Sequence, residues 1–187
     1  MKKLFGLLIV LTSFNALSAI DHCYFDGDDF FVISDGKSYR QGVDNYVDSI
    51  YDCRKSLAAI YDGDDLYVFN DDSKQFSRQG VDDNSQVAQL QVGRLVVAMY
   101  DGDDLYVYDM KKQSFNRQGA DDNYANSQLL VRGKLVSFYD GDDLYVYDIN
   151  RGQFSRQGVD DLYDQSTLSG SRYGVLFYDG DDVYLVR

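Results

Sequence analysis

The sequence predicts an all-β protein in which one unit of about 39 residues is repeated along the chain. The segment Tyr-Asp-Gly-Asp-Asp-Leu-Tyr-Val begins at Tyr61, Tyr100 and Tyr139, and variants of it begin at Tyr24 and Tyr178. The glycines of these segments are 36, 39, 39 and 39 residues apart, at Gly27, Gly63, Gly102, Gly141 and Gly180. A fixed period in this range indicates one structural unit that has been copied several times.

The composition favours short strands joined by acidic turns. The 187 residues include 17 Tyr, 11 Phe, no Pro and no Trp, and all 31 acidic residues are Asp. Aromatic residues favour strands, whereas Asp favours turns. The formal net charge of −13 disfavours nucleic acid and anionic membranes as partners.

Residues 1–19 have the pattern of a secretory signal peptide. Lys2 and Lys3 precede an apolar run, and small residues end at a cleavage point after Ser18 or Ala19. The apolar run is too short to span a bilayer. We therefore expect a secreted or periplasmic protein, not inserted in a membrane, with one repeat domain at 20–187.

One unit can be divided into four strands by its apolar runs and turns. Leu95–Tyr100 is strand a, and the Asp-Gly turn that follows is a strong hairpin signal. Leu105–Tyr108 is strand b, Ser114–Gln118 is strand c and Ser127–Val131 is strand d. Strands a and b are apolar on both faces, so we expect both faces to be covered. The predicted units lie near 20–56, 57–94, 95–133 and 134–172, with a partial unit at 173–187.

This pattern of four short antiparallel strands per unit resembles the blades of a β-propeller, without pointing to a particular family. The resemblance implies a five-bladed β-propeller with strand order d, a, b, c and with strand d nearest the axis. The first blade would lack strand d, and the last would lack strand c. The alternatives are an open array of β-hairpin repeats and a dimer closed by strand pairing, with a monomer favoured over a dimer.

Two cysteines predict a disulfide in a secreted chain. Cys23 lies in the first strand a, and Cys53 lies in the following strand d. If the first blade lacks its own strand d, these two strands are neighbours. We therefore expect the bridge to join the first two units.

The a–b hairpins collect acidic side chains at one edge of the sheets, which is the candidate ligand-binding rim. Asp side chains in such turns commonly cap backbone amides, but Asp-rich loops of a secreted protein also suit Ca²⁺, the one candidate cofactor. A tyrosine beside these acids could stack on a sugar. The candidate residues are Tyr61, Asp62, Asp64, Asp65, Tyr100, Asp101, Asp103, Asp104, Tyr139, Asp140, Asp142, Asp143, Tyr178, Asp179, Asp181 and Asp182.

Basic residues have two predicted locations. An Arg-Gln-Gly motif ends strand c four times, and we interpret its arginines as partners of hairpin acids within each blade, with an anion site as the alternative. These arginines are Arg40, Arg78, Arg117 and Arg156. The opposite edge receives the other cations, at Lys37, Arg54, Lys55, Lys74, Arg94, Lys111, Lys112, Arg132, Lys134, Arg151 and Arg172.

Near-identical units favour repeated equivalent sites and multivalent binding over catalysis. No nucleophile–base set emerges from the residues that break the repeat, and no catalytic residue is predicted. The sequence therefore predicts a secreted, non-enzymatic binding or scaffold module whose acidic rim recognises carbohydrate, Ca²⁺ or a basic protein. The alternatives are a propeller-type glycan hydrolase, since paired Asp residues could act on glycosidic bonds, and a purely structural surface protein.

Overall fold

The computed structural model confirms an all-β fold, with eighteen strands in five antiparallel sheets among the residues that it describes. Within the described residues no helix has the length and apolar character needed to cross a bilayer. The predicted signal peptide, apart from Ala19, and most of the c–d loops lie outside the description. The described residues are 19–44, 49–81, 87–120, 127–159, 166–171, 174–180 and 182–187.

The first and last sheets have three strands each, ordered as the sequence predicts. The first sheet runs a, b, c and the last runs d, a, b. The strands of the first are β1 (Ile20–Asp26), β2 (Asp29–Ser34) and β3 (Lys37–Gly42). The strands of the last are β16 (Thr167–Ser171), β17 (Gly174–Asp179) and β18 (Asp182–Val186).

The three middle sheets have four strands each, in the order d, a, b, c. The second sheet contains β4 (Ile50–Cys53), β5 (Leu57–Tyr61), β6 (Asp65–Asn70) and β7 (Gln75–Gly80). The third contains β8 (Gln89–Val92), β9 (Val96–Tyr100), β10 (Asp104–Asp109) and β11 (Ser114–Gly119). The fourth contains β12 (Gln128–Arg132), β13 (Leu135–Tyr139), β14 (Asp143–Asp148) and β15 (Gln153–Gly158).

Neighbouring sheets stack face to face, because strands a and b are apolar on both faces. In β5, Leu57, Ala59 and Tyr61 pack against the third sheet. The alternate residues Ala58 and Ile60 pack against the first sheet. Side chains alternate between the faces of a strand, so one apolar run fills two interfaces. The same arrangement recurs between the third and fourth and between the fourth and fifth sheets.

The d strands lie next to one another, with β8 and β16 both in contact with β12. Glutamine side chains link their edges. The Gln91 amide donates to the Leu129 carbonyl at 2.7 Å and accepts from the Val131 amide at 2.9 Å. Gln128 makes the equivalent pair of bonds to Ser166 and Leu168. These amides imitate a β-ladder partner and satisfy backbone groups that would otherwise form an open edge.

The predicted disulfide is confirmed. Cys23 in β1 is bonded to Cys53 in β4, with their Cα atoms 6.2 Å apart. The backbone amide of Ile20 also donates to the Lys55 carbonyl at 2.8 Å. The disulfide therefore joins the first sheet to strand d of the second.

Closure of the five sheets into a five-bladed ring stays a prediction. The outer face of the first sheet includes Tyr24, and the outer face of the last includes Tyr178, Val183 and Leu185; all four side chains are exposed. The two terminal faces of the stack therefore do not bury these residues against each other. This exposure favours the open array of repeats over a closed ring within one chain.

Candidate functional site

The acidic hairpins between strands a and b are built around a buried aspartate. In the third sheet, Oδ1 of Asp101 accepts hydrogen bonds from the amides of Asp104 at 2.8 Å and Asp103 at 3.3 Å. Gly102 has φ of 123°, a conformation that glycine adopts without strain. Asp140 accepts the corresponding two bonds in the fourth sheet. These first acids are turn-forming residues whose carboxylates are already occupied by backbone donors.

Asp62 begins the hairpin of the second sheet in the same way, but it also reaches a neighbouring segment. Its carboxylate accepts from the amides of Asp65 at 2.9 Å and Asp44 at 3.1 Å. Burial raises the pKa of Asp62, and the backbone hydrogen bonds only partly offset this effect.

The hairpin tyrosines do not form an exposed sugar-binding surface, which corrects the prediction for three of the four. Tyr61, Tyr100 and Tyr139 are each 0% exposed. The hydroxyl of Tyr61 donates to the Gly63 carbonyl at 2.6 Å, and the other two make the equivalent bond inside their own hairpins. They are buried because the next sheet covers this face. Tyr178 is exposed because it lies on the outer face of the last sheet.

In the second, third and fourth sheets the last acid of the hairpin is buried and paired with the arginine of strand c. Nη2 of Arg78 lies 2.5 Å from Oδ2 of Asp65. Its guanidinium also lies over the Tyr67 ring, 5.9 Å from the centroid. Burial raises the pKa of Tyr67 to about 12, and its hydrogen bond to Asp65 adds to this effect. Arg117 and Arg156 repeat the ion pair and the ring contact in the third and fourth sheets, and Arg40 pairs with Asp29 in the first.

In the hairpins of the second, third and fourth sheets, three carboxylates are close enough to share a metal ion, with ligand oxygens within 4.8 Å of one another. The groups are Asp62, Asp64 and Asp65; Asp101, Asp103 and Asp104; and Asp140, Asp142 and Asp143. Oxygen ligands of this kind suit Ca²⁺. In each group, however, the first and last acids are buried and already hold backbone amides or an arginine, as above. The middle acids Asp64 and Asp103 are exposed and Asp142 is half-buried.

In the last hairpin Asp179 is buried and Asp182 is exposed, whereas Asp181 lies outside the described residues. The candidate acidic rim is therefore mostly a row of structural turns. Its accessible part is reduced chiefly to the middle acids of the hairpins and to the exposed acids of the first and last sheets.

A second candidate site lies at the opposite edge, where the d–a turns of the second, third and fourth sheets meet. The sequence predicts the cations at this edge but does not indicate a cavity. The structure has one there of about 670 Å³, a size typical of small-molecule sites. Four cationic side chains and no acidic residue are found among the described residues that line it, which are Ala19, Arg54, Lys55, Ser56, Val92, Gly93, Arg94, Val131, Arg132 and Gly133. We call it the basic cavity.

Two arginines of the basic cavity are held by the neighbouring sheet. Nε of Arg54 donates to the Val92 carbonyl at 3.2 Å, and its Nη2 lies 3.5 Å from Asp52. Nε of Arg132 donates to the Ser171 carbonyl at 3.4 Å. Each bond spans two sheets, so stacking of the repeats orients these side chains. A smaller cavity beside it, of about 330 Å³, shares Arg132 and adds Lys134 and Arg187, together with Asp148.

No protein-family model and no curated protein match the chain. Among solved structures, the computationally designed Ika4 protein has a TM-score of 0.46 and 16% identity, covering 73% of this chain and 89% of Ika4. Hsv2 of Kluyveromyces lactis has a TM-score of 0.41 and 12% identity, covering 71% of this chain and 42% of Hsv2. Apo AztD from Citrobacter koseri has a TM-score of 0.36 and 11% identity, covering 74% of this chain and 46% of AztD.

Hsv2 and AztD are β-propeller proteins. The chain spans less than half the length of either of them. At these identities and TM-scores the similarities carry no argument about function.

Proposed function

We propose that the chain is a secreted or periplasmic, non-enzymatic binding module that takes an anionic ligand in the basic cavity. The observation that carries the proposal is the charge of this cavity. Four cations line it without a described acid in a chain of net charge −13. Cations gathered in a concave site raise the local concentration of an anion by their combined field.

The chemistry of the lining favours an oxyanion. The planar guanidinium groups of Arg54, Arg94 and Arg132 match carboxylate, sulfate and phosphate groups, with which arginine forms paired hydrogen bonds. Anchoring of Arg54 and Arg132 to neighbouring sheets lowers the entropy lost when a ligand is bound. Removal of the signal peptide after Ser18 would add the α-ammonium group of Ala19, which also lines the cavity.

We take an acidic oligosaccharide as the ligand class, because the cavity is large enough for a sugar carrying several charged groups. This keeps the carbohydrate ligand predicted from the sequence, but moves it from the acidic rim to the basic edge. The buried tyrosines of the hairpins offer it no stacking surface, whereas the exposed arginines and lysines offer charge-assisted hydrogen bonds.

Binding of Ca²⁺ or a basic protein at the acidic rim is the second candidate function. The observation that favours it is the convergence of three carboxylates in each of three hairpins. The exposed acids Asp64 and Asp103 would be the carboxylates that contact the ligand first. Three equivalent hairpins would give the multivalency that the repeats suggest.

Calorimetric titration of the mature chain with a sulfated oligosaccharide, an uncharged oligosaccharide of equal length and an acidic peptide tests the proposal. We expect binding of the sulfated sugar, weaker binding at high salt and none of the uncharged sugar. Arg94→Ala should weaken binding about tenfold, equivalent to the loss of one charge-assisted hydrogen bond. Lys37→Ala removes an exposed cation of the first sheet outside the cavity and should leave the affinity unchanged.

Two results would reject the anion site. One is absence of binding to any anion, and the other is equal loss of affinity in Arg94→Ala and Lys37→Ala. Preference for the acidic peptide would reject the oligosaccharide while keeping the anion site. If Ca²⁺ stabilises the parent chain but not the variants Asp64→Asn and Asp103→Asn, the second candidate function is supported. Turnover in a panel of glycan substrates would overturn the non-enzymatic part.

A further inference from the structure

At each end of the sheet stack, an apolar face lacks a covering sheet among the described residues. The N-terminal end face is the outer side of the first sheet, formed by His22, Tyr24, Phe31 and Ile33. Its rings form a row, with Tyr24 5.0 Å from Phe31 and 5.9 Å from His22 between centroids. The C-terminal end face is the outer side of the last sheet, formed by Leu176, Tyr178, Val183 and Leu185. Strand pairing places Tyr178 opposite Val183 and Leu176 opposite Leu185.

These faces are exposed at the two ends of the described stack, whereas the equivalent positions inside it are buried. Tyr178 is 40% exposed, Val183 58%, Leu185 38% and Tyr24 38%. The residues equivalent to Tyr178 in the three preceding sheets are Tyr61, Tyr100 and Tyr139, which are fully buried. Those equivalent to Val183 and Leu185 are also buried, at Leu66, Val68, Leu105, Val107, Leu144 and Val146.

The residues of the N-terminal end face also have buried equivalents in the later sheets, on the face that packs against the preceding sheet. Tyr24 is equivalent to Ile60, Met99 and Phe138, which are all buried. Phe31 is equivalent to Tyr67, Tyr106 and Tyr145, and Ile33 to Phe69, Tyr108 and Tyr147; all six are buried against the preceding sheet.

The two end faces are thus the two halves of one repeated interface. Inside the chain, the hairpin tyrosine of one sheet packs on a ring of the next. Tyr100 lies 4.3 Å from Phe138, and Tyr139 lies 4.9 Å from Phe177, between ring centroids. The next pair in this series is Tyr178 with Tyr24. Both side chains are exposed, so this pair is not formed among the described residues.

We infer that the C-terminal end face docks on the N-terminal end face of a second copy of this chain, continuing the stack of sheets from one molecule to the next. The partner is a second copy for the following reason. Each of the four interfaces within the chain covers one face of a sheet with the opposite face of the next sheet, and the N-terminal end face of a second copy has the same pattern of side chains as those covering faces. The contact is heterologous, since the two surfaces differ, and it produces either a closed ring of chains or an open filament. This assembly would repeat the binding modules and differs from the monomer that the sequence favours.

Multi-angle light scattering on the mature chain over a range of concentrations measures this association. We expect a mass above that of one chain, rising with concentration. Val183→Asp blocks the C-terminal end face and Tyr24→Asp blocks the N-terminal end face, so each variant alone should be monomeric. Tyr51→Ser is the matched control, because Tyr51 is 48% exposed but lies in β4, away from both end faces; it should associate like the parent chain.

Mixing the two blocked variants distinguishes the proposed contact from symmetric pairing. Tyr24→Asp retains an intact C-terminal face, and Val183→Asp retains an intact N-terminal face. The mixture should therefore form a discrete complex of one chain of each and nothing larger. A parent chain that is monomeric at all concentrations overturns the inference. So does a Tyr24→Asp or Val183→Asp variant that still forms dimers alone, because that result requires two identical faces to pair. Circular dichroism on each variant establishes that it is folded.

Discussion

The hydroxyl of Tyr147 lies 2.9 Å from Oδ2 of Asp109 on the preceding sheet, and both residues are buried. The preceding interface has Tyr108 in the position of Tyr147 and Asn70 in the position of Asp109, with a longer contact of 3.4 Å. Burial and the hydrogen bond to Asp109 raise the pKa of Tyr147. One repeated position therefore holds a charged hydrogen bond in one interface and a neutral one in another.

Replacing Tyr147 with Phe should lower the free energy of unfolding by about 1–3 kcal/mol, because a buried carboxylate loses a donor. Tyr108→Phe is the matched control and should cost less, since its partner is an uncharged amide. Urea denaturation of both variants measures the difference. Equal losses would show that the charge of Asp109 does not strengthen the contact.

Replacing Asp101 with Ala should destabilise the protein by about 1–3 kcal/mol, because two backbone amides of the hairpin lose their acceptor. Asp103→Ala removes an exposed carboxylate of the same hairpin and should cost little. Thermal unfolding with and without Ca²⁺ measures both effects. A loss for Asp101→Ala that is seen only when Ca²⁺ is present would show that the acid is a metal ligand and not a turn cap.

Asp62 should make the stability depend on acid pH. Its pKa is raised above the ordinary value of 3.8, chiefly by burial. The folded state therefore keeps its proton at a pH where the unfolded chain has released it. Stability from this group falls as the pH rises through the window between 3.8 and the raised pKa. In Asp62→Asn this contribution is absent, so the parent chain should gain stability relative to the variant on acidification.

Chemical denaturation of the parent chain and Asp62→Asn between pH 3 and 7 measures this dependence. Asp103→Asn, an exposed acid in the next hairpin, is the control and should follow the parent chain more closely. If the difference between the parent and Asp62→Asn is constant across the range, Asp62 has the same pKa in the folded and unfolded states.

Removing the bond between Cys23 and Cys53 should lower the free energy of unfolding by about 2–4 kcal/mol, since the bond restricts the unfolded chain. The double variant Cys23→Ser with Cys53→Ser, compared with the parent chain under oxidising conditions, gives this difference. Under reducing conditions the two proteins should become similar. A double variant as stable as the oxidised parent would show that the contacts between β1 and β4 suffice to hold the first sheet.

The repeat was sufficient to predict the strands and their order, because these depend on short segments. The Asp-Gly turns between apolar runs predict the a–b hairpins, in which Tyr106 pairs with Met99. The polar turn after strand b predicts the b–c pairing, in which Tyr106 pairs with Arg117. The disulfide was also predictable, since the missing strand d of the first sheet leaves Cys23 and Cys53 on neighbouring strands. The burial of Tyr100 was not, because Tyr100 ends strand a beside the acidic hairpin, and only the stacking of whole sheets covers the strand as far as its last residue.

The sequence by itself determined the all-β class, the unit of about 39 residues and the strand order d, a, b, c. It also placed the hairpin acids at one edge of the sheets and most lysines and arginines at the opposite edge. These features could be predicted because period-two patterns and turn residues act locally. Only the tertiary structure decided which apolar face meets which neighbour, and hence that the first and last acids of the three middle hairpins are buried while Val183 stays exposed. It also brought together Arg54, Arg94 and Arg132 around one cavity. These residues are about one unit apart in sequence, so their proximity depends on how whole sheets stack.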